Sequence, residues 1–300
     1  MANDAIVLHT LLGNHPNTKA LKSGTISSPL VKFDYFEVKV ANTQFKALVR
    51  EAKYDLGELA MVTFLQAKHY GKPYVLLPAT IVGRNQHHTI FYNADRGRLL
   101  PEHLNGKRIG VRAYTQTTGA WVRGFLSDDY GIDLDSVTWV TFEDPHVAEY
   151  RDPPIVQRAP EGKVLKQMLL DGELDAAILG DVAQDEPLLH LIPDHEEEAR
   201  AWAMRHGGVP INHLAVMRES IVKERPDVVR EVYRVLKESR DAATAIPKDA
   251  EDPLRFGISA IRKSLEQLNA YAVAQKLIPR AFSADELFED AARILGSAAA

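Results

Sequence analysis

Arg84-Asn85-Gln86-His87-His88 follows directly on PYVLLPATIVG, a run that looks built for burial, and leads straight back into Ile90-Phe91-Tyr92. Each buried polar group left without a partner costs about 1–3 kcal/mol. The pentapeptide is therefore either a wet surface loop or a cluster that faces a ligand. In an extended chain alternate residues share a face, so Arg84, Gln86 and His88 would stand on one side. An arginine fork fits a carboxylate with two hydrogen bonds, and a nearby histidine can move a proton near neutral pH.

A second cluster lies where a strand gives way to a helix. Thr115, Thr117 and Thr118 precede AWVRG, and helix N-termini favour anions. Simple N-capping by threonine is the competing reading. Arg123, one to two turns on, is a further candidate ligand contact, with a surface position the plainer alternative. Asp55 and Glu58 flank a glycine at a strand's entrance, where a carboxylate can accept a proton from a substrate hydroxyl or simply cap or solvate a loop. His213, in PINHLAVMR, is a candidate acid or a satisfied structural histidine.

Elements that alternate strand and helix must carry these groups. AIVLHTLL, FDYFEVKV, YDLGELAMVTF, PYVLLPATIV, SVTWVTF, DAAILG and VPINHLAVMR read as strands, and 84–89 either continues as one or turns between two. Residues 17–23 read as a helix capped by Asn17 or Thr18, and TQFKALVREA as a helix with Phe45, Leu48 and Val49 on one side. TTGAWVRGFLSDDYG and KVLKQMLLDG are helical, and so is most of the chain beyond Pro226. Residues 143–162 read as a long charged, proline-rich loop. This order predicts an α/β protein with mostly parallel sheets, in which ligands sit at the carboxyl ends of strands. GNHPNT, GELAMVT, RNQHHT and AYTQTTG are then the candidate site loops.

Composition narrows the field. With 300 residues, the chain is long enough for two domains. A net charge of −5 speaks against a nucleic-acid partner. The absence of cysteine excludes disulfides, thiolate metal sites and a catalytic thiol. No apolar run approaches the roughly 18 residues of a membrane span. The N-terminus has neither a basic region nor an apolar leader, which predicts a cytoplasmic protein. Despite 11 histidines there is no H-E-x-x-H and no nucleotide-binding glycine motif. No cofactor is implied, and a divalent metal stays an open possibility. A homo-oligomer is possible.

Taken in order, several segments resemble the 4,5-dihydroxyphthalate decarboxylase family. They are TKALKSG, KYDLGELAM, the Arg and second His of GRNQHHTIFYN, LNGKRIGVRAY, Thr117 and WVRG of TQTTGAWVRG, DDYGIDLDSVTW, MLLDGELDAAI and GVPINHLAVMR. GKRIGV and GELDAAI are shared widely among type II periplasmic binding proteins and speak for the fold alone. The resemblance implies a two-lobed type II periplasmic-binding-protein-like fold. Each lobe would be a mostly parallel sheet flanked by helices, with a C-terminal helical extension. Residues 1–93 and 211–300 would form one lobe and 94–210 the other, with the substrate in the cleft.

The implied reaction removes a carboxylate from a hydroxylated aromatic acid. In this chain Arg84 would clamp a carboxylate, with Thr115, Thr117, Thr118, Asn17, Thr18 and Arg123 as further binding candidates. His88 or His213 would protonate the ring, and Glu58 would take a phenol proton. The chain departs from the family at His15-Pro16-Asn17-Thr18, Gly83-Arg84, His87-His88-Thr89 and Tyr114-Thr115-Gln116-Thr117. One positive charge is thereby missing from each of two loops, which points to a monoacid or another aromatic acid as substrate. A non-catalytic solute-binding protein of the nitrate, sulfonate and taurine type is the competing function, and a chorismate dehydratase a third.

Overall fold

The computed structural model describes residues 5–180, 187–243 and 251–300. The chain divides into two compact units: Met1–Arg84, Gly207–Gln267 and Phe282–Ala300 in one, Asn85–His206 and Leu268–Ala281 in the other. The second unit thus includes residues 85–93, which the sequence assigned to the first, together with 268–281.

The first unit opens with β1 (Ile6–Leu11), α1 (Pro16–Lys22), β2 (Val31–Tyr35), α2 (Phe45–Glu51), β3 (Leu56–Ala60), α3 (Met61–His69) and β4 (Tyr74–Gly83). The second holds β5 (Ile90–Asn93), β6 (Arg108–Val111), α4 (Thr117–Tyr130), β7 (Thr138–Thr141) and β8 (Val156–Arg158). It continues through α5 (Leu165–Leu170), β9 (Ala176–Ile178), β10 (Leu188–His190) and α6 (His195–His206). The chain then returns through β11 (Ile211–Arg218), α7 (Glu219–Glu224), α8 (Pro226–Asp241), α9 (Ile258–Ala274) and α10 (Ala284–Leu295). Residues of α9 beyond Gln267 belong to the second unit.

The first sheet runs β2-β1-β3-β11-β4. Strand β1 is parallel to β3, and β11 is antiparallel to both β3 and β4. The carboxyl ends of β1, β3 and β4 and the amino end of β11 therefore meet at one edge. The second sheet runs β10-β5-β9-β6-β7-β8, parallel from β9 through β8 and antiparallel at β5 and β10.

Several sequence expectations need correction. YDLGELAMVTF is not one strand: β3 ends at Ala60, and Met61 to Ala67 are buried in a helix. A helix buried on every side has no periodicity to separate it from a buried strand. Strand β2 lies at Val31–Tyr35, upstream of most of FDYFEVKV. Residues 143–162 are not all loop, since they contain β8. Of the two readings of 84–89, the turn holds, though not as a solvated one: His87–Thr89 form a single 3-10 turn with Gln86, His87 and Thr89 buried, so the alternating face is lost. Helix α1 is capped by neither Asn17 nor Thr18: His15 is its N-cap, Pro16 is its first residue, and Thr18 closes a capping box.

The two helices expected to be amphipathic differ. In α2, Phe45, Leu48 and Val49 are buried, as their spacing predicts. In α4, all ten residues from Thr117 to Leu126 are buried, polar ones included.

Candidate functional site

A buried polar constellation lies at the carboxyl edge of the first sheet. Glu58 is in the middle of β3 and 1% exposed. Its Oε2 accepts hydrogen bonds from His15 Nε2 at 2.8 Å and from the Gly13 N–H at 3.1 Å; its Oε1 accepts from His213 Nδ1 at 3.1 Å. A carboxylate can only accept, so His15 carries its proton on Nε2 and His213 on Nδ1. The opposite nitrogen of each neutral ring is left with a lone pair.

Local sequence explains how the three meet. Leu11 of β1 is paired with Gly57, which delivers the loop after β1 next to Glu58. His213 is in register with Ala60, and Ala215 with Glu58. Gly13 leaves room for the His15 ring, because a Cβ there would lie 2.6 Å from His15 Nε2. The edge of Phe45 meets the His213 ring, with centroids 5.2 Å apart.

Electrostatics follow from the geometry. Burial by itself would raise the Glu58 pKa, but the hydrogen bonds and charges of His15 and His213 outweigh it and hold the carboxyl at about 2. Burial lowers His15, and its bond to Glu58 more than reverses this, so His15 is raised overall. Glu58 is thus an ionised acceptor over the whole physiological range, and it favours an imidazolium at His15. The His15 side chain is 30% exposed and lines a cavity of about 890 Å³ together with Lys19 and Lys22.

Arg84 stands at the same edge. Its N–H donates to the Pro210 carbonyl at 3.1 Å, and Ile211 is in register with Gly83. Glycine at 83 is dictated by packing, since a Cβ would collide with the Pro253 carbonyl oxygen. Asn17 and Thr18 are buried braces rather than open contacts. Asn17 Nδ2 donates to the Ile81 carbonyl, and the Thr18 hydroxyl joins the backbone of Gly13 and His15.

The remaining candidates are in the second unit. Thr115, Thr117 and Thr118 are buried at the start of α4, whose N-cap is Gln116 rather than a threonine. Arg123 is fully buried, contrary to the surface alternative. Its Nη2 donates to the Tyr114 carbonyl at 2.6 Å, its Nε to Gln275 Oε1 at 2.7 Å, and its guanidinium stacks on the Tyr114 ring. It is a structural cation, held where helix position alone gave no hint. His88 is half-buried and lines a different cavity with His190 and His195.

Sequence reasoning missed His15. It did mark GNHPNT as a site loop, but His-Pro at a helix start reads as turn chemistry. The partner that reveals it, Glu58, is 43 residues away. Among the described residues no group of three or more His, Asp or Glu is arranged to hold a metal ion. Among them, too, no helix is long and apolar enough to cross a membrane.

The two sheets and the flanking and C-terminal helices make this a two-lobed α/β fold of the periplasmic-binding-protein type. A ligand-binding component of an ABC-type import system from Staphylococcus aureus matches with a TM-score of 0.56 and 10% identity, over 97% of this chain and 98% of that one. A putative periplasmic sulfonate-binding protein from Methylobacillus flagellatus matches with a TM-score of 0.54 and 12% identity, over 98% and 94%. No protein-family model matches the chain.

Curated sequences are nearer. The 4,5-dihydroxyphthalate decarboxylase of Pseudomonas putida is 32% identical over 191 residues, 59% of this chain and 74% of that protein. The Comamonas testosteroni protein of the same name is 28% identical over 250 residues, 79% and 75%. The chain belongs to the 4,5-dihydroxyphthalate decarboxylase family.

The fold likeness corrects one expectation. The cytoplasmic assignment rested on a chain start without an apolar leader. It is overturned by the solute-binding proteins that share the fold, a periplasmic protein and an import component among them.

Proposed function

We propose that this chain decarboxylates a hydroxylated aromatic acid and that His15, Glu58 and His213 form its acid–base centre. The observation that carries the reading is the buried Glu58 carboxylate bridging two imidazoles at the carboxyl edge of the sheet. Family membership supports the reaction class.

Loss of CO2 from an aromatic ring needs a proton at the carbon that bears the carboxylate. The ring hydroxyls push electron density toward that carbon, and an imidazolium supplies the proton. The C–C bond then breaks, its electron pair restores the ring, and CO2 departs. Solvent reprotonates the imidazole. His15 suits the donor role: it is the more exposed imidazole, and its bond to Glu58 favours the imidazolium. His213, with its Nδ1 proton fixed on Glu58, keeps a lone pair on Nε2 that can take a phenol proton. Glu58 itself, held at about 2, is a poor base and acts as the positioning residue for both rings. This differs from the role its sequence position suggested. Arg84, with Lys19 and Lys22 beside His15, offers cations for the carboxylate.

The test is product formation with a panel of hydroxylated benzoates and phthalates. His15→Ala and His213→Ala should each lower kcat about 100-fold or more, the usual scale for a positioned acid or base. Full turnover in both variants would sink the assignment, and tight binding without turnover across the panel would favour a solute-binding protein.

A further inference from the structure

An unbroken path of hydrogen bonds joins His15 to Lys22. Lys22 is the last residue of α1 and lines the same cavity as His15. Its Nζ donates to the Leu12 carbonyl at 3.1 Å. The N–H of that same peptide group, carried by Gly13, donates to Glu58 Oε2 at 3.1 Å, and this oxygen also accepts from His15 Nε2 at 2.8 Å. The ammonium therefore pulls on one end of the peptide while the carboxylate holds the other. Hydrogen bonds in series polarise one another, so a cation on the carbonyl makes the Gly13 N–H a stronger donor. Two donors compete for Glu58 Oε2: the stronger the Gly13 N–H, the less negative charge is left to hold an imidazolium at His15.

Lys22 is not a loose surface lysine. Its side chain is half-buried, and its Nζ lies 5.4 Å from the centroid of the Tyr35 ring, within cation–π range. An ammonium has three donors, and the Leu12 carbonyl takes one of them. Lys19, in the same cavity wall, is exposed. The groups that act on His15 are few. Burial works against its imidazolium, the bond to Glu58 and the Glu58 charge outweigh burial, and the Lys22 ammonium partly offsets them. His213 bonds the other oxygen of Glu58.

We propose that Lys22 couples substrate binding to the loading of the general acid: a substrate carboxylate that engages the Lys22 ammonium offsets its charge, the Gly13 N–H draws less on Glu58, and His15 takes up a proton from solvent. The substrate thereby arms its own proton donor, and the ring is less charged while the cavity is empty. This rests on the reading of His15 as the acid. Lys22 is then a positioning residue for that acid as well as a contact for the carboxylate.

The experiment is NMR of the full chain with carbon-13 at histidine Cε1, the His15 signal being identified by its loss in H15Q. Its titration midpoint is followed in wild type, K22Q and K22R. K22Q keeps a donor for the Leu12 carbonyl and removes the charge; K22R keeps the charge. The K22Q midpoint should lie about one pH unit above wild type, a tenfold tighter hold on the proton, and K22R should match wild type. The wild type is then titrated with benzoate, which carries a carboxylate but lacks the hydroxyls that drive decarboxylation. Benzoate should raise the His15 midpoint, and benzyl alcohol, its uncharged counterpart, should leave it in place. Coincident midpoints in wild type and K22Q, a midpoint that benzoate does not move, or one that benzyl alcohol raises as far would each overturn the proposal. Turnover is read separately in H15A. Full activity there beside the expected shifts would keep the coupling and remove the acid assignment, and an inactive H15A without the shifts would do the reverse.

Discussion

Replacing Glu58 by glutamine tests whether the buried carboxylate organises the edge of the first sheet. A carboxyl held at about 2 instead of its ordinary 4.5 binds its proton several hundredfold more weakly when folded. At about 1.4 kcal/mol per tenfold, this corresponds to roughly 3 kcal/mol of stability at neutral pH. The sign follows from the direction. A lowered carboxyl contributes fully above 4.5, and its contribution is lost as pH falls through that value toward 2. His15 has the opposite sense: raised above 6.5, it contributes below that pH and loses its contribution as pH rises through its folded value. Glutamine keeps the shape but has an amide N–H2 facing an imidazole N–H, so one ring must change tautomer or turn.

E58Q should therefore lose on the order of 3 kcal/mol at pH 7, and the acid-side slope below pH 4.5 should shrink. All three tryptophans, Trp121, Trp139 and Trp202, belong to the second unit, so their fluorescence misses this event. Urea unfolding should be followed by far-UV circular dichroism, with hydrogen exchange of peptides spanning β3 and β11. A loss under about 1 kcal/mol, together with wild-type stability flat between pH 5 and 3, would refute the reasoning.

Two further outcomes concern the second unit. His87 is stacked on Phe125 with ring centroids 4.0 Å apart, neither ring nitrogen has a hydrogen-bond partner among the described residues, and burial with nearby Arg205 lowers it to about 3. A lowered histidine destabilises the fold as pH drops below 6.5, by about 1.4 kcal/mol per pH unit. H87F should flatten that slope between pH 6 and 4 in urea unfolding read by tryptophan fluorescence; an unchanged slope would count against it. Arg123→Met should cost about 3 kcal/mol or more, since Gln275 Oε1 and the Tyr114 carbonyl lose a buried charged donor. Stability measured the same way decides this, and a near-neutral change would mean the guanidinium contributes little.

What was legible in the sequence had a local physical cause. Strand β4 is ten residues of nearly unbroken apolar sequence, and α2 shows its buried face in the spacing of Phe45, Leu48 and Val49. Helix α5 stops before Gly172, where a left-handed residue is needed. Boundaries failed where burial is complete on every side. Met61–Ala67 could not be told from strand, and the polar pentapeptide at 84–88 did not announce a 3-10 turn. Among the site residues, Glu58 and His213 were marked by type and loop position. Asn17, Thr18, Thr115, Thr117, Thr118 and Arg123 were marked on the same grounds, yet in the structure their side chains are buried.

By itself, then, the sequence determined the alternation of elements, the candidate loops and the family resemblance, because each resides in local pattern. Only the tertiary structure decided that His15 from the first loop and His213 from a returning strand close on one carboxylate. Parallel and antiparallel pairing brings residues 43 and 155 positions from Glu58 within hydrogen-bonding distance of it. No local propensity encodes that meeting, because it depends on strand order and register across the whole sheet.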